Sequence, residues 1–127
     1  MTEEKKMQKR ELNKKCGLAR NPSTPPDVLA KLTSYEDACV RWGVARNPST
    51  PPDVLAPLAS DADSNVRWGV AINPSTPPEV LSKLASDAYW YARWGVAANP
   101  STPPEVFGVV KCIIARNPST LMQSKNQ

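Results

Sequence analysis

Apolar positions in this chain come in two kinds of short burst. One is Val28, Leu29 and Leu32, spaced to line one side of a helix of about two turns. The other is denser, Val66-Arg67-Trp68-Gly69-Val70-Ala71, with a single charge inside it. Polar residues separate them: Ser60-Asp61-Ala62-Asp63 reads as a turn into the second burst, and Asn73-Pro74 closes it. The pattern predicts two helices per unit, neither long enough to be stable in isolation.

Both bursts return at a fixed interval. Asn-Pro-Ser-Thr-Pro-Pro begins at Asn21, Asn47, Asn73 and Asn99, always 26 residues apart, and Arg-Trp-Gly-Val-Ala begins at Arg41, Arg67 and Arg93 with the same spacing. A constant period in this range marks a stacked array whose units bury their apolar faces against neighbours. One solenoid domain over residues 1–127 is expected, with full repeats at 21–46, 47–72 and 73–98. Residues 1–20 form a basic N-terminal capping helix, because Lys15-Cys16-Gly17-Leu18-Ala19-Arg20 aligns with Arg41-Trp42-Gly43-Val44-Ala45-Arg46. At the other end, Asn99 and Asn117 are only 18 residues apart, so 99–118 is a shortened capping repeat, with one continuous helix over 103–116 and a tail at 119–127.

Local chemistry supplies the helix boundaries. Thr24-Pro25-Pro26-Asp27 offers an N-cap threonine, a proline at the first helical position and an acid two residues on. Asn73-Pro74 ends the second helix, since a residue before proline leaves the helical region and Asn tolerates a left-handed cap.

The run Asp61, Val66, Arg67, Val70, Ala71, Asn73, Pro74, Thr76, Pro77, Leu81, Leu84 and Ala85 resembles the variant leucine-rich repeat, and its Asp-x4-Val-Arg portion is similar to HEAT repeats. The resemblance covers roughly residues 15 to 118. It implies an all-α, right-handed α-solenoid of short helices, either of which can be 3₁₀ in part, acting as a scaffold. Some members of that family carry an iron–sulfur cluster on an N-terminal cysteine cluster. This chain lacks that cluster, so no cofactor is expected.

Composition narrows the function classes. The chain has no histidine, which removes His-based general-base catalysis, Ser–His and Cys–His nucleophile pairs and the usual zinc sites. No Gly-rich phosphate loop appears among its five glycines. An enzyme is not expected, and no residue is assigned a catalytic or metal role. Cys16, Cys39 and Cys112 are far apart in the sequence and read as reduced thiols of a cytoplasmic protein. No stretch is apolar enough to span a membrane. The net charge of +4 lies in the first twenty residues, where Lys5, Lys6, Lys9, Arg10, Lys14, Lys15 and Arg20 face only Glu3, Glu4 and Glu11.

Four sets of residues stand out, the first as structure and the others as candidates for contact. Arg41, Arg67 and Arg93 form a column, and at about 100° per residue Arg41 falls in the middle of the apolar arc. A cation there needs a partner, so Arg41, Arg67 and Arg93 with Asp61 and Asp87 are read as a structural ladder. Trp42, Trp68 and Trp94 sit at the edge of the same arc, suited to inter-repeat packing and also to anchoring a partner. The position before each Asn-Pro varies, reading Arg20, Arg46, Ile72, Ala98 and Arg116, which marks it as exposed. The triplet Tyr89-Trp90-Tyr91 replaces Asp63-Ser64-Asn65 in the third turn, and three consecutive aromatics cannot all enter one core. The expected function is therefore a binding scaffold for a protein or peptide partner, as monomer or weak homodimer. A nucleic-acid-binding solenoid, using the basic helix and the Arg and Trp columns, is the alternative.

Overall fold

Paired prolines set where the first helix of each repeat begins. In the computed structural model, which describes residues 2–106 and 108, α2 (Pro26–Leu32), α4 (Pro52–Leu58) and α6 (Pro78–Leu84) each start on the second proline. The first proline is the N-cap, and no side chain caps any of the three. The second helices are α3 (Ala38–Arg46), α5 (Ser64–Ile72) and α7 (Trp90–Ala98). Asp37 and Asp63 cap the first two of these through bonds to backbone N–H groups. The charged α1 (Glu3–Arg20) precedes the first repeat. These seven helices are all α, and no 3₁₀ segment and no strand occurs among the described residues.

Helices α1, α3, α5 and α7 stack in order, each on the next, and α2, α4 and α6 fill the second layer. The capping helix thus takes the second-helix role. Between the layers lie Leu29, Leu55 and Leu81 from one side and Val40, Val44, Val66, Val70 and Val96 from the other, all fully buried. The chain is an all-helical α-solenoid.

Close contact between stacked helices depends on glycine. A Cβ added to Gly69 would lie 2.9 Å from the Cβ of Ala45, and one added to Gly43 would lie 2.8 Å from that of Ala19. Gly95 meets Ala71 in the same way, at 3.0 Å. The Gly and Ala of Arg-Trp-Gly-Val-Ala are therefore the two halves of one repeated contact.

Two expectations about the motif are corrected. Thr24, Thr50, Thr76 and Thr102 do not cap the helices that follow them. Their hydroxyls donate backwards, to the carbonyls of Leu18, Val44, Val70 and Val96, at 2.6 to 2.7 Å. A threonine N-cap bonds the N–H two or three residues on, and here the nearer of those is a proline that has none. The hydroxyl closes the end of the preceding helix instead.

Asparagine does not adopt a left-handed cap either: Asn47 and Asn73 are extended, and no described non-glycine residue has positive φ. They are 1% exposed. The Asn47 amide donates to the carbonyls of Ala19 and Asn21, both at 2.8 Å, and accepts from the Ser49 N–H at 2.9 Å. Asn73 does the same to Ala45 and Asn47, and Asn99 to Ala71 and Asn73. Ser49, Ser75 and Ser101 add hydroxyl bonds to the carbonyls of Pro22, Pro48 and Pro74. The continuous helix expected over 103–116 lies largely outside the described residues, of which 104–106 and 108 are helical.

Replacing Asn73 with Ala strands the Ala45 carbonyl, leaves that of Asn47 with only the Thr50 N–H, frees the Ser75 N–H, and should cost about 1–3 kcal/mol. Asn21→Ala removes only an exposed bond to the Ser23 N–H and should cost less than about 1 kcal/mol. Urea unfolding of both variants checks this; equal losses would refute the ladder. Gly69→Ala should destabilise through its clash with Ala45, while Gly17→Ala, which meets nothing within 4 Å, should stabilise by about 0.5–1 kcal/mol. Thermal melts of the pair give the two signs.

Candidate interaction surface

Arginine enters the apolar arc because the next repeat supplies its carboxylate. Arg41 reaches Asp61 in a two-bond fork, Nε to Oδ2 at 2.8 Å and Nη2 to Oδ1 at 3.2 Å. Its Nη1 donates to the carbonyls of Tyr35 and Glu36 in its own repeat's turn. Arg67 repeats the geometry with Asp87, at 2.9 and 3.3 Å, and with the carbonyls of Asp61 and Ala62. Arg93 donates to the carbonyl of Asp87. Arg41 and Arg67 thus each join their own turn to the next one, whereas Arg93 bonds only its own turn among the described residues, and its buried Nε has no partner there.

The aspartates are held as firmly. Burial alone would raise the Asp61 carboxyl, but the Arg41 hydrogen bond, the Asp63 N–H and the charges of Arg41 and Arg67 outweigh it. Its pKa lies below the ordinary carboxylate value, and that of Arg41 is raised, first by the same hydrogen bond.

One cation that remains at the surface, Arg46, stands on tryptophan. The Arg46 guanidinium carbon lies 4.8 Å from the centroid of the Trp42 ring and 6.0 Å from that of Trp68, within cation–π range of both. Trp42 leans on the next helix, its Cδ1 being 3.5 Å from where a Cβ of Gly69 would sit, and Trp68 does the same at Gly95. The tryptophans are half-buried and cover the glycine contact from outside. Both expected uses, packing and display, fall on one ring.

The aromatic triplet opens α7 rather than lying wholly in the turn. Tyr89 is its N-cap, and Trp90 and Tyr91 begin its first turn. Tyr91 is 42% exposed, stacks on Trp90 at 4.1 Å, tilts against Tyr89 at 5.5 Å and meets the Trp68 edge at 6.3 Å.

Three shallow grooves share these side chains. The first is lined by Arg20, Trp42, Gly43, Arg46 and Asn47. The second, about 460 Å³, is lined by Ala38, Cys39, Trp42, Asp63, Asn65 and Trp68. The third is lined by Asn65, Trp68, Tyr89 and Tyr91. Common residues connect them into one strip across successive repeats, from Arg20 to Tyr91.

The structure therefore brings Arg20, Arg46, Trp42, Trp68, Tyr89 and Tyr91 together, with Trp90 stacked behind Tyr91. Trp94 is 47% exposed and lines none of these grooves. Of the variable column, Arg20, Arg46 and Ala98 are exposed, Ile72 is half-buried, and Arg116 lies outside the described residues. The cation–π pairing at Arg46 was not foreseen, although its place four residues after Trp42 is the helical spacing that allows it. Among the described residues, no three His, Cys, Asp or Glu side chains converge as metal ligands, and no helix is long and apolar enough to cross a membrane.

The stack and its ladders define a helical repeat protein. Residues 40–63 match the model of the leucine rich repeat variant family, and the residues that define that unit recur along the chain every 26 positions. The matched segment, residues 40–63, thus has the sequence of one variant leucine-rich repeat. No curated protein and no solved structure matches it.

Because the Asp61 pKa is depressed in the folded state, its ion pair contributes stability above the unfolded value of about 4, and that contribution is lost as pH falls through the folded pKa. Asp61→Asn should cost about 1–3 kcal/mol at pH 7 and much less once the wild-type carboxyl is protonated. Urea titrations at neutral and acid pH test this, and a gap that stays constant would show that the charge is not what matters.

Proposed function

We propose that the chain is a non-enzymatic binding scaffold, and that the strip from Arg20 to Tyr91 receives a protein or peptide segment running across the repeats. The observation that carries this reading is the linked set of grooves floored by Trp42, Trp68 and Tyr91. Half-buried aromatic rings and a cation held in place are the side chains that dominate binding energy at protein surfaces. Because Arg41 and Arg67 are committed to aspartates, only Arg20 and Arg46 offer positive charge on the strip, and Asp63 lines the adjoining groove. That sparse, mixed charge suits a peptide with apolar side chains and an occasional acid better than a continuous phosphate chain. In this reading the protein works in the cytoplasm, as a monomer or weak homodimer.

A nucleic-acid reading draws on a separate observation, the exposed Lys5, Lys6, Lys9, Arg10 and Lys14 of α1. The two readings separate by salt and by position. A displayed-peptide selection should yield sequences whose affinity drops at least about tenfold on Arg46→Ala or Tyr91→Ala, with little change from 50 to 200 mM salt. Circular dichroism confirms that the variants stay folded. Selected peptides indifferent to both substitutions would overturn the assignment of the strip. Labelled single- or double-stranded oligonucleotides bound at micromolar concentration, with affinity falling steeply over the same salt range and lost on neutralising the α1 lysines, would replace it with the nucleic-acid reading.

A further inference from the structure

Two cysteines that are distant in sequence meet in the fold. The Sγ atoms of Cys16, near the end of α1, and Cys39, in the first turn of α3, are 3.2 Å apart. Both are free thiols. A disulfide bond is about 2.05 Å long, so the sulfurs need to close by only about 1.2 Å. Their environments differ in a way that divides the labour of an exchange reaction. Cys39 is exposed, beside Trp42 in the central groove, whereas Cys16 is 5% exposed and turned into the α1–α3 contact.

The element that Cys16 would tether is weakly held. Helix α1 has 18 residues but buries only Cys16 and Ala19, with Leu12 partly covered. Every other repeat junction gains the asparagine and serine bonds from its neighbour, and this one closes through Asn47 and Ser49 alone, with no arginine–aspartate pair: Lys15 stands in the arginine position and Tyr35 in the aspartate position.

We propose that Cys16 and Cys39 form a reversible disulfide on exposure to a low-molecular-weight disulfide such as oxidised glutathione, fastening α1 to the first repeat. The Cys39 thiol gives up its proton to solvent, its sulfur attacks one sulfur of oxidised glutathione, and one glutathione leaves with the electron pair of the broken bond. The Cys16 thiol then loses its proton and attacks the Cys39 sulfur, releasing the second glutathione. Two protein thiols are oxidised and one glutathione disulfide is reduced to two thiols. Burial first, then the hydrogen bond and charge of Cys39 and the charge of Asp37, push the Cys16 thiol up to about 11, with Arg20 opposing. It therefore stays protonated at neutral pH and serves as the second, resolving thiol.

The test treats the full-length folded protein with oxidised glutathione and reads intact mass, free-thiol count and a tryptic map. Expected are a loss of about 2 Da with no glutathione adduct, two thiols consumed, and a Cys16–Cys39 crosslinked peptide. Cys112→Ser should react as wild type does, whereas Cys39→Ser, altered at an exposed position, should form no crosslink. The oxidised form should melt higher by on the order of 10 °C, resist trypsin at the α1 lysines, and lose both gains on reduction with dithiothreitol. Three thiols that persist, a glutathione adduct that stays on Cys39, or a crosslink that includes Cys112 would each overturn the proposal.

Discussion

The buried asparagine amide is the interaction on which the rest of this structure depends. Breaking the chain at each Asn-Pro leaves carbonyls of the preceding repeat facing the interior, where an unpaired acceptor costs about 1–3 kcal/mol. One side chain reaches two carbonyls at once, and only that of the preceding asparagine has a further partner, the threonine N–H three residues on. Asn73 donates to Ala45 and Asn47 while its oxygen accepts from Ser75, so the same residue ends a helix, shapes the turn after it and joins two repeats. Each bonded carbonyl belongs to the neighbour rather than to the repeat itself. A single unit therefore cannot satisfy its own backbone, and stability has to come from the array.

Given that spacing, the other ladders follow. Fixing the turns brings Gly69 onto Ala45 with no room for a methyl group, and the resulting close approach places Asp61 within a two-bond reach of Arg41. The arginine then has three tasks: it neutralises a carboxylate, occupies carbonyls of its own turn, and spans the junction. A buried ion pair is weak evidence for stability by itself, since desolvation cancels much of the attraction. Here its geometry sets register, because the fork fits only one aspartate of the next turn.

Much of this was legible in the sequence, and the reason is periodicity. A 26-residue interval in two independent motifs fixes the repeat, the two-helix unit and the α-solenoid without any residue-level argument. Helical angle placed Arg41 inside the arc, and hence beside Asp61. What was misread were the polar residues of the motif. Thr24 and Asn47 have strong local preferences, for an N-cap and a left-handed cap, and both are overridden by acceptors in neighbouring structure: the carbonyl of Leu18 for one, those of Ala19 and Asn21 for the other. Such partners, up to 28 positions away, leave no trace in a local window. The meeting of Cys16 with Cys39 is hidden for the same reason, although aligning residues 15–20 with 41–46 already sets α1 beside α3.

Departures from the repeat rule are the best guide to what is not structural. Helices α3 and α5 open on an aspartate that caps them, and at α7 that aspartate has become Tyr89, which makes no capping bond. Losing such a cap costs about 1 kcal/mol. In exchange the chain gains an aromatic cluster that extends from Trp68 through Tyr91 to Trp90. Part of that return is packing, but Tyr91 leaves much of its ring in solvent, where stacking within the fold recovers little of the cost. Local rules are most often broken where a surface is used for contact. The break falls at the end of the one strip whose other members, Trp42 and Arg46, hold a cation over a ring at the surface. That coincidence of an uncapped helix with the exposed aromatic track, more than the apolar area of either, is what favours this strip over the charged α1 as the proposed binding surface.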